Sequence, residues 1–253
     1  MSDKRKTGDR DRRQSSGRGE RGLTVRVKTA RGRKMSSTLW LQRQLNDPYV
    51  KMAKKDGFRG RAAYKIRDID DRFNFLVQGA RVVDLGAAPG GWSQIVADRV
   101  NSHGNDPKKK IGKVIGLDLQ AIEPLDGCQF IEMDFLDEGA EDAVKELLNG
   151  EADCVISDMA PFTTGHKATD HLRIMTLVEA SIYFAIDVLT KDGVFVAKVF
   201  EGGATSDLMT ILKKYFTKTM HFKPDASRKD SSEKFLVATG FKGKPADFDI
   251  NNP

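Results

Sequence analysis

The run Val194-Phe195-Val196-Ala197-Lys198-Val199-Phe200 lies between Asp192-Gly193 and Gly202-Gly203, and it sets the fold class. Six apolar side chains in seven, bracketed by turn residues, describe a strand covered on both faces; a half-exposed strand would alternate apolar and polar. Lys198 is the exception within it. An isolated buried ammonium is costly, so this lysine has to be paired or lie at a working site.

On either side of this run, strand-like and helix-like segments take turns. Residues 81–85, 113–117 and 153–157 read as strands, and a further apolar segment, Phe130-Ile131-Glu132-Met133, precedes Asp134. Residues 91–100, 141–148, 171–189 and 206–216 read as helices. Repeated strand–helix units imply a mostly parallel sheet with right-handed crossovers and helices on both faces. Two last strands, near 218–222 and 233–239, are joined by a polar loop with no helix. That connection is too short in structure for a parallel crossover, so one of the pair should run antiparallel. Ahead of the first strand, Leu39, Leu41, Leu45, Val50 and Met52 have helical spacing and predict one helix over 37–56, ending at Gly57. A second helix is expected over about 61–75.

A chain of 253 residues accommodates one such domain with extensions. Residues 1–36 hold 13 Lys/Arg against four acids, a net of +9, which leaves 37–253 at −3 of the total +6. This segment is rich in Arg, Gly and Ser and too poor in apolar residues to fold alone. We expect a disordered tail over 1–36 that tethers a polyanion, a domain over 37–242, and a C-terminal tail over 243–253. The two cysteines, Cys128 and Cys154, lie in apolar runs and read as buried free thiols of a reducing compartment. No apolar stretch approaches the roughly 20 residues that span a bilayer, so a soluble, cytoplasmic protein is expected. His166 and His171 share a loop with Asp170 but lack zinc-ligand spacing, and no metal is expected.

Four strands end in an acid or a lysine: Asp84, Asp118, Asp158 and Lys198. Open α/β sheets bind ligands outside the carboxyl ends of their strands, so these residues describe a polar cleft. The first strand runs into Asp84-Leu85-Gly86-Ala87-Ala88-Pro89-Gly90-Gly91-Trp92, a glycine loop entering a helix. Ala88 stands where the dinucleotide fingerprint has its second glycine, which removes the seat of a pyrophosphate. Asp118 suits a ribose diol and Asp134 an exocyclic adenine amine. That set fits S-adenosyl-L-methionine better than a dinucleotide.

With these motifs the chain resembles the FtsJ/RrmJ family of large-subunit ribosomal RNA 2′-O-ribose methyltransferases. The matching stretches are Arg61-Ala62-Ala63-Tyr64-Lys65, the glycine loop through Ser93-Gln94, and Ser157-Asp158-Met159-Ala160-Pro161. Val196-Ala197-Lys198-Val199-Phe200, Lys223-Pro224-Asp225-Ala226-Ser227-Arg228 and the segment around Glu233 match as well. The match spans about residues 37–242; the basic tail lies outside it, and the 106–110 insert is peculiar to this chain. The resemblance implies a Rossmann-like methyltransferase sheet with an antiparallel last strand and a catalytic tetrad of Lys65, Asp158, Lys198 and Glu233. It also implies cofactor contacts at Gly90, Trp92, Asp118, Asp134 and Asp158, and an enzyme acting on a uridine ribose of ribosomal RNA, on the large ribosomal subunit; a monomer is expected.

A ribose hydroxyl is a poor nucleophile, and Lys198 is the candidate to accept its proton. Free lysine titrates at about 10.4, so that role depends on the surrounding charges. Lys54, Lys55, Arg59, Arg61 and Arg228 are candidate phosphate contacts, and Tyr64 could stack on a base or simply pack. Three other readings remain: a tRNA or cap methyltransferase on the same tetrad, a non-catalytic RNA-binding assembly factor, and a nicotinamide oxidoreductase. Loss of a tetrad member would favour the second, and none is lost; Ala88 disfavours the third.

Overall fold

The structure is a computed structural model describing residues 27, 32, 34–160, 165, 167–200, 205–246 and 248. The basic tail, read as a tether, lies almost wholly outside the described residues. The chain divides into two units, residues 1–47 and 48–253. The first contains helix α1 (Met35–Asn46).

The single helix expected over 37–56 is two. Asp47 is extended, with ψ 118°, and α2 (Pro48–Asp56) starts at the proline. Pro48 has no N–H to continue a ladder, and its ring disfavours the helical conformation in the residue before it. Helix α3 (Ala63–Phe73) is shorter than expected at both ends. Asn74 closes it in the left-handed conformation, and the Asp70 carboxylate accepts from Phe75 and Leu76 N–H at 3.1 and 2.9 Å.

The alternating units then appear in order: β1 (Arg81–Leu85), α4 (Gly91–Val100), β2 (Lys113–Asp118), β3 (Gln129–Glu132), α5 (Ala140–Leu148) and β4 (Ala152–Ser157). They continue through α6 (Lys167–Val188), β5 (Leu189–Phe200), α7 (Thr205–Tyr215), β6 (Phe216–Phe222) and β7 (Glu233–Phe241). Helix α6 begins before His171, so that histidine lies in the helix and not in a loop. Asp170 then falls in its first turn, where the helix dipole favours a carboxylate.

The seven strands order as β3-β2-β1-β4-β5-β7-β6. The first five are parallel neighbours, and β7 lies antiparallel between β5 and β6. Strand β5 begins five residues earlier than its apolar run. Ala152 pairs with Leu189 and Cys154 with Val194, so the extra residues around Asp192 (φ 67°) bulge from the ladder.

Pleating divides the strands' side chains between two cores. Val83, Leu85, Ile115, Leu117, Val155, Phe195, Ala197, Val199, Leu236 and Ala238 pack towards α5, α6 and α7. Their alternates, among them Val82, Val114, Cys154, Ile156, Val196, Phe235 and Val237, pack towards α3 and α4. Both faces of the central strands are dry, which is why these strands read as unbroken apolar runs. The same period of two puts Lys198 on the α3–α4 side, in step with Val196.

Candidate active site

Lys198 pairs in register with Phe235 near the carboxyl end of β5, and Glu233 pairs with Phe200 at the start of β7. An antiparallel strand begins where its parallel neighbours end, so Glu233 stands at the ligand edge of the sheet. Asp158 follows β4 directly, and Lys65 sits in the first turn of α3, packed over that edge. The four charges converge. Lys65 Nζ lies 2.7 Å from Glu233 Oε2 and 3.4 Å from both carboxylate oxygens of Asp158. Lys198 Nζ lies 3.1 Å from Asp158 Oδ1 and donates to the Asp158 main-chain carbonyl at 2.5 Å. The side chains of Lys65, Asp158, Lys198 and Glu233 are only 10, 18, 8 and 12% exposed. Burial pushes the Glu233 carboxyl up. The Lys65 ammonium, the Ser227 hydroxyl and the Lys198 charge together outweigh it and hold the group below the usual glutamate value. Lys65 also lies over the Phe235 ring, 5.7 Å from its centroid.

Beside the tetrad is a cavity of about 750 Å³ at the carboxyl edge, where strand order reverses between β1 and β4. Gly86, Ala88, Asp118, Met133, Asp134 and Asp158 line it, with Arg173 and Leu177 from α6. Backbone donors orient its acids. Asp118 Oδ2 accepts from Ala88 N–H and Oδ1 from Gln120 N–H, both at 2.9 Å; Asp134 Oδ1 accepts from Leu136 N–H at 3.0 Å. Each of these oxygens keeps a second acceptor site for a ligand hydroxyl or amine. Asp158 belongs to the cavity and the tetrad alike. Gly86, at φ +71°, is pressed on Met159: an added Cβ would fall 2.2 Å from its Cγ.

Other expected site residues do different work. Trp92 is 3% exposed; its indole donates to the Ala62 carbonyl at 2.9 Å and lies 5.6 Å, centroid to centroid, from Phe235. The indole therefore ties α4 to α3, and the main chain at the helix start is what this residue can offer a ligand. Tyr64 is fully buried, with its hydroxyl donating to Asp56 at 2.6 Å, so it packs and does not stack on a base. Arg59 donates to three main-chain carbonyls, of Pro89, Glu123 and Pro124. Arg61 donates to the Ala226 carbonyl. Lys54 and Lys55 are exposed on α2.

The sequence reading missed Ser227. Its buried hydroxyl donates to Glu233 Oε1 at 2.8 Å and so fixes the oxygen that Lys65 leaves open. The loop carrying it is held by α3, where Asp68 accepts from Ala226 N–H at 2.9 Å. A serine in a polar loop carries no signal of such a role beyond its place in the matched 223–228 motif.

A family model described as FtsJ-like methyltransferase matches residues 58–241. The chain is 60% identical over 229 residues to the ribosomal RNA large subunit methyltransferase E of Ruegeria pomeroyi, covering 90% of this chain and 98% of that one. It is 53% identical over 246 residues to the protein of that name from Parvibaculum lavamentivorans, covering 96% of each. A solved structure described as a ribosomal RNA methyltransferase of Plasmodium falciparum superposes with a TM-score of 0.64 at 29% identity, over 74% of this chain and all of that one.

Proposed function

The chain belongs to the FtsJ-like methyltransferase family, and from that premise we propose that it methylates the 2′-hydroxyl of a uridine ribose in large-subunit ribosomal RNA. The donor is S-adenosyl-L-methionine, the substrate is the assembled large subunit, and the enzyme works as a cytoplasmic monomer. One observation carries the reading: a buried set of two ammonium and two carboxylate groups shares Asp158 with a nucleoside-sized cavity.

The residues present suit this donor. Asp118 takes the ribose diol and Asp134 the adenine amine, each oriented by the N–H groups that already hold it. S-adenosylmethionine, when bound, supplies an electrophilic methyl group on a sulfonium. Lys65 and Glu233 grip the incoming ribose hydroxyl, and Asp158 keeps Lys198 beside it. Lys198, held beside the hydroxyl, is the group placed to receive the proton that the attacking hydroxyl gives up. Holding the hydroxyl in line can itself lower the barrier by about 7 kcal/mol or more. Lys54, Lys55 and Arg228, with the basic tail, contribute phosphate contacts.

The decisive assay supplies labelled S-adenosylmethionine and compares large subunits, naked ribosomal RNA and tRNA, followed by mapping of the labelled ribose. Lys198→Ala should lower single-turnover methylation by about 10²- to 10⁴-fold while titration calorimetry gives near-normal cofactor affinity. Retained turnover would remove Lys198 from the proton-accepting role.

A further inference from the structure

We propose that Arg59 is a positioning residue for the cofactor, stapling together the two loops between which the cofactor sits. The proposal rests on the S-adenosylmethionine reading of the cavity. Its Nη1 donates to Pro89 O in the glycine loop at 2.9 Å and to Glu123 O, beyond β2, at 2.8 Å. Nη2 donates to the neighbouring Pro124 O at 2.6 Å. These carbonyls belong to the loops that follow β1 and β2, and the same two loops contribute Gly86, Ala88, Leu119 and Gln120 to the cavity wall.

The arrangement is a built one. On its inner side the glycine loop is fixed to the end of β2, where Leu117 O accepts from Gly86 and Ala87 N–H at 2.8 and 3.0 Å and Asp118 accepts from Ala88. On its outer side Arg59 is the link described. The arginine's main chain is itself held: its backbone N–H donates to Gln94 Oε1 at 2.7 Å, and Gln94 Nε2 donates to Gly57 O at 3.1 Å. Gly90 completes the fit. At φ +100° it favours glycine, and an added Cβ would stand 2.7 Å from Arg59 Nη1, so a side chain at 90 would evict the guanidinium. A planar fork with donors on two nitrogens can reach carbonyls of both loops at once; the compact ammonium of lysine cannot match that geometry. Freed of the staple, the loop after β2 would drift from the glycine loop, and the Asp118 carboxylate would lose its set position between them.

The test uses the full chain, titrated with S-adenosylmethionine, and in parallel measures large-subunit RNA binding across a salt series. Arg59→Lys keeps the charge and loses the fork; Arg59→Gln loses both. We expect cofactor affinity to fall about tenfold or more in each, with the KM for cofactor rising and the RNA salt slope unchanged. Arg59→Lys carries the test alone should the glutamine variant not fold. Cofactor affinity unchanged in Arg59→Lys would overturn the proposal. So would a salt slope reduced by about 0.7 in Arg59→Gln with normal cofactor affinity, since that is the mark of a lost phosphate contact. Absence of cofactor uptake by the unmodified chain would instead sink the reading of the cavity itself.

Discussion

Individual charges carry this site, and their protonation follows from where the strands leave them. Asp84 is 1% exposed at the end of β1 and accepts the Ser93 hydroxyl at 2.7 Å. Burial drives its carboxyl up to about 7, with the Ser93 bond opposing and Asp158 and Asp118 reinforcing the shift. The folded value is thus above the unfolded one, and the folded chain holds a proton that the unfolded chain has lost between pH of about 4 and 7. Stability falls as pH rises through that window. Asp84→Asn keeps the shape and the Ser93 bond, so urea unfolding should show it about 1–3 kcal/mol more stable than the parent at pH 8 and level with it near pH 4. An Asn variant with the parent's full decline would place the proton elsewhere. Lys198 and Asp158 were legible in the sequence because charge interrupts or ends an apolar run. Ser227 was not: its position depends on Asp68, 158 residues from the Ala226 it holds.

Elements obey local rules until the chain meets a neighbour. The break at Asp47-Pro48 follows from proline chemistry alone, and helical spacing on both sides of it concealed the interruption. The bulge in β5 arises from its pairing with β4, which local sequence does not encode. At the C-terminus, pattern ends the domain at 242, yet the residues there make specific contacts. Lys242 Nζ donates to the Lys213 and Lys214 carbonyls at 2.9 and 3.0 Å, closing α7. Lys244 joins Lys145 on Asp187; burial raises that carboxyl, but the two lysines together hold it below the usual aspartate value. Phe248 lies 6.3 Å from the Tyr183 ring and 6.2 Å from Tyr215. Truncation after Lys242 should cost about 2 kcal/mol, lowering the melting temperature by about 4–8 °C. A melt identical to the full chain would reduce the segment to an appendage.

Across the whole molecule, charge is divided between a basic N-terminal segment and residues 37–253, which are −3 overall. As a tether, residues 1–36 should raise RNA affinity without touching the donor site. Deleting them should lower the slope of log affinity against log salt by several units and raise the KM for large subunits, with cofactor affinity unchanged. An unaltered slope and KM would leave the segment a solubility device. The amino-acid sequence by itself determined the parallel sheet, the placing of charges at strand ends and the family. Those depend on periodicity and consecutive motifs, which a few neighbouring residues carry. Only the tertiary structure decided that Lys65 meets Glu233 across 168 positions, that Ser227 holds the other Glu233 oxygen, and that Arg59 donates to carbonyls of the loops after β1 and β2. A hydrogen bond is satisfied by whichever group the packed helices and strands bring within about 3 Å, and that distance exists only once the sheet has closed.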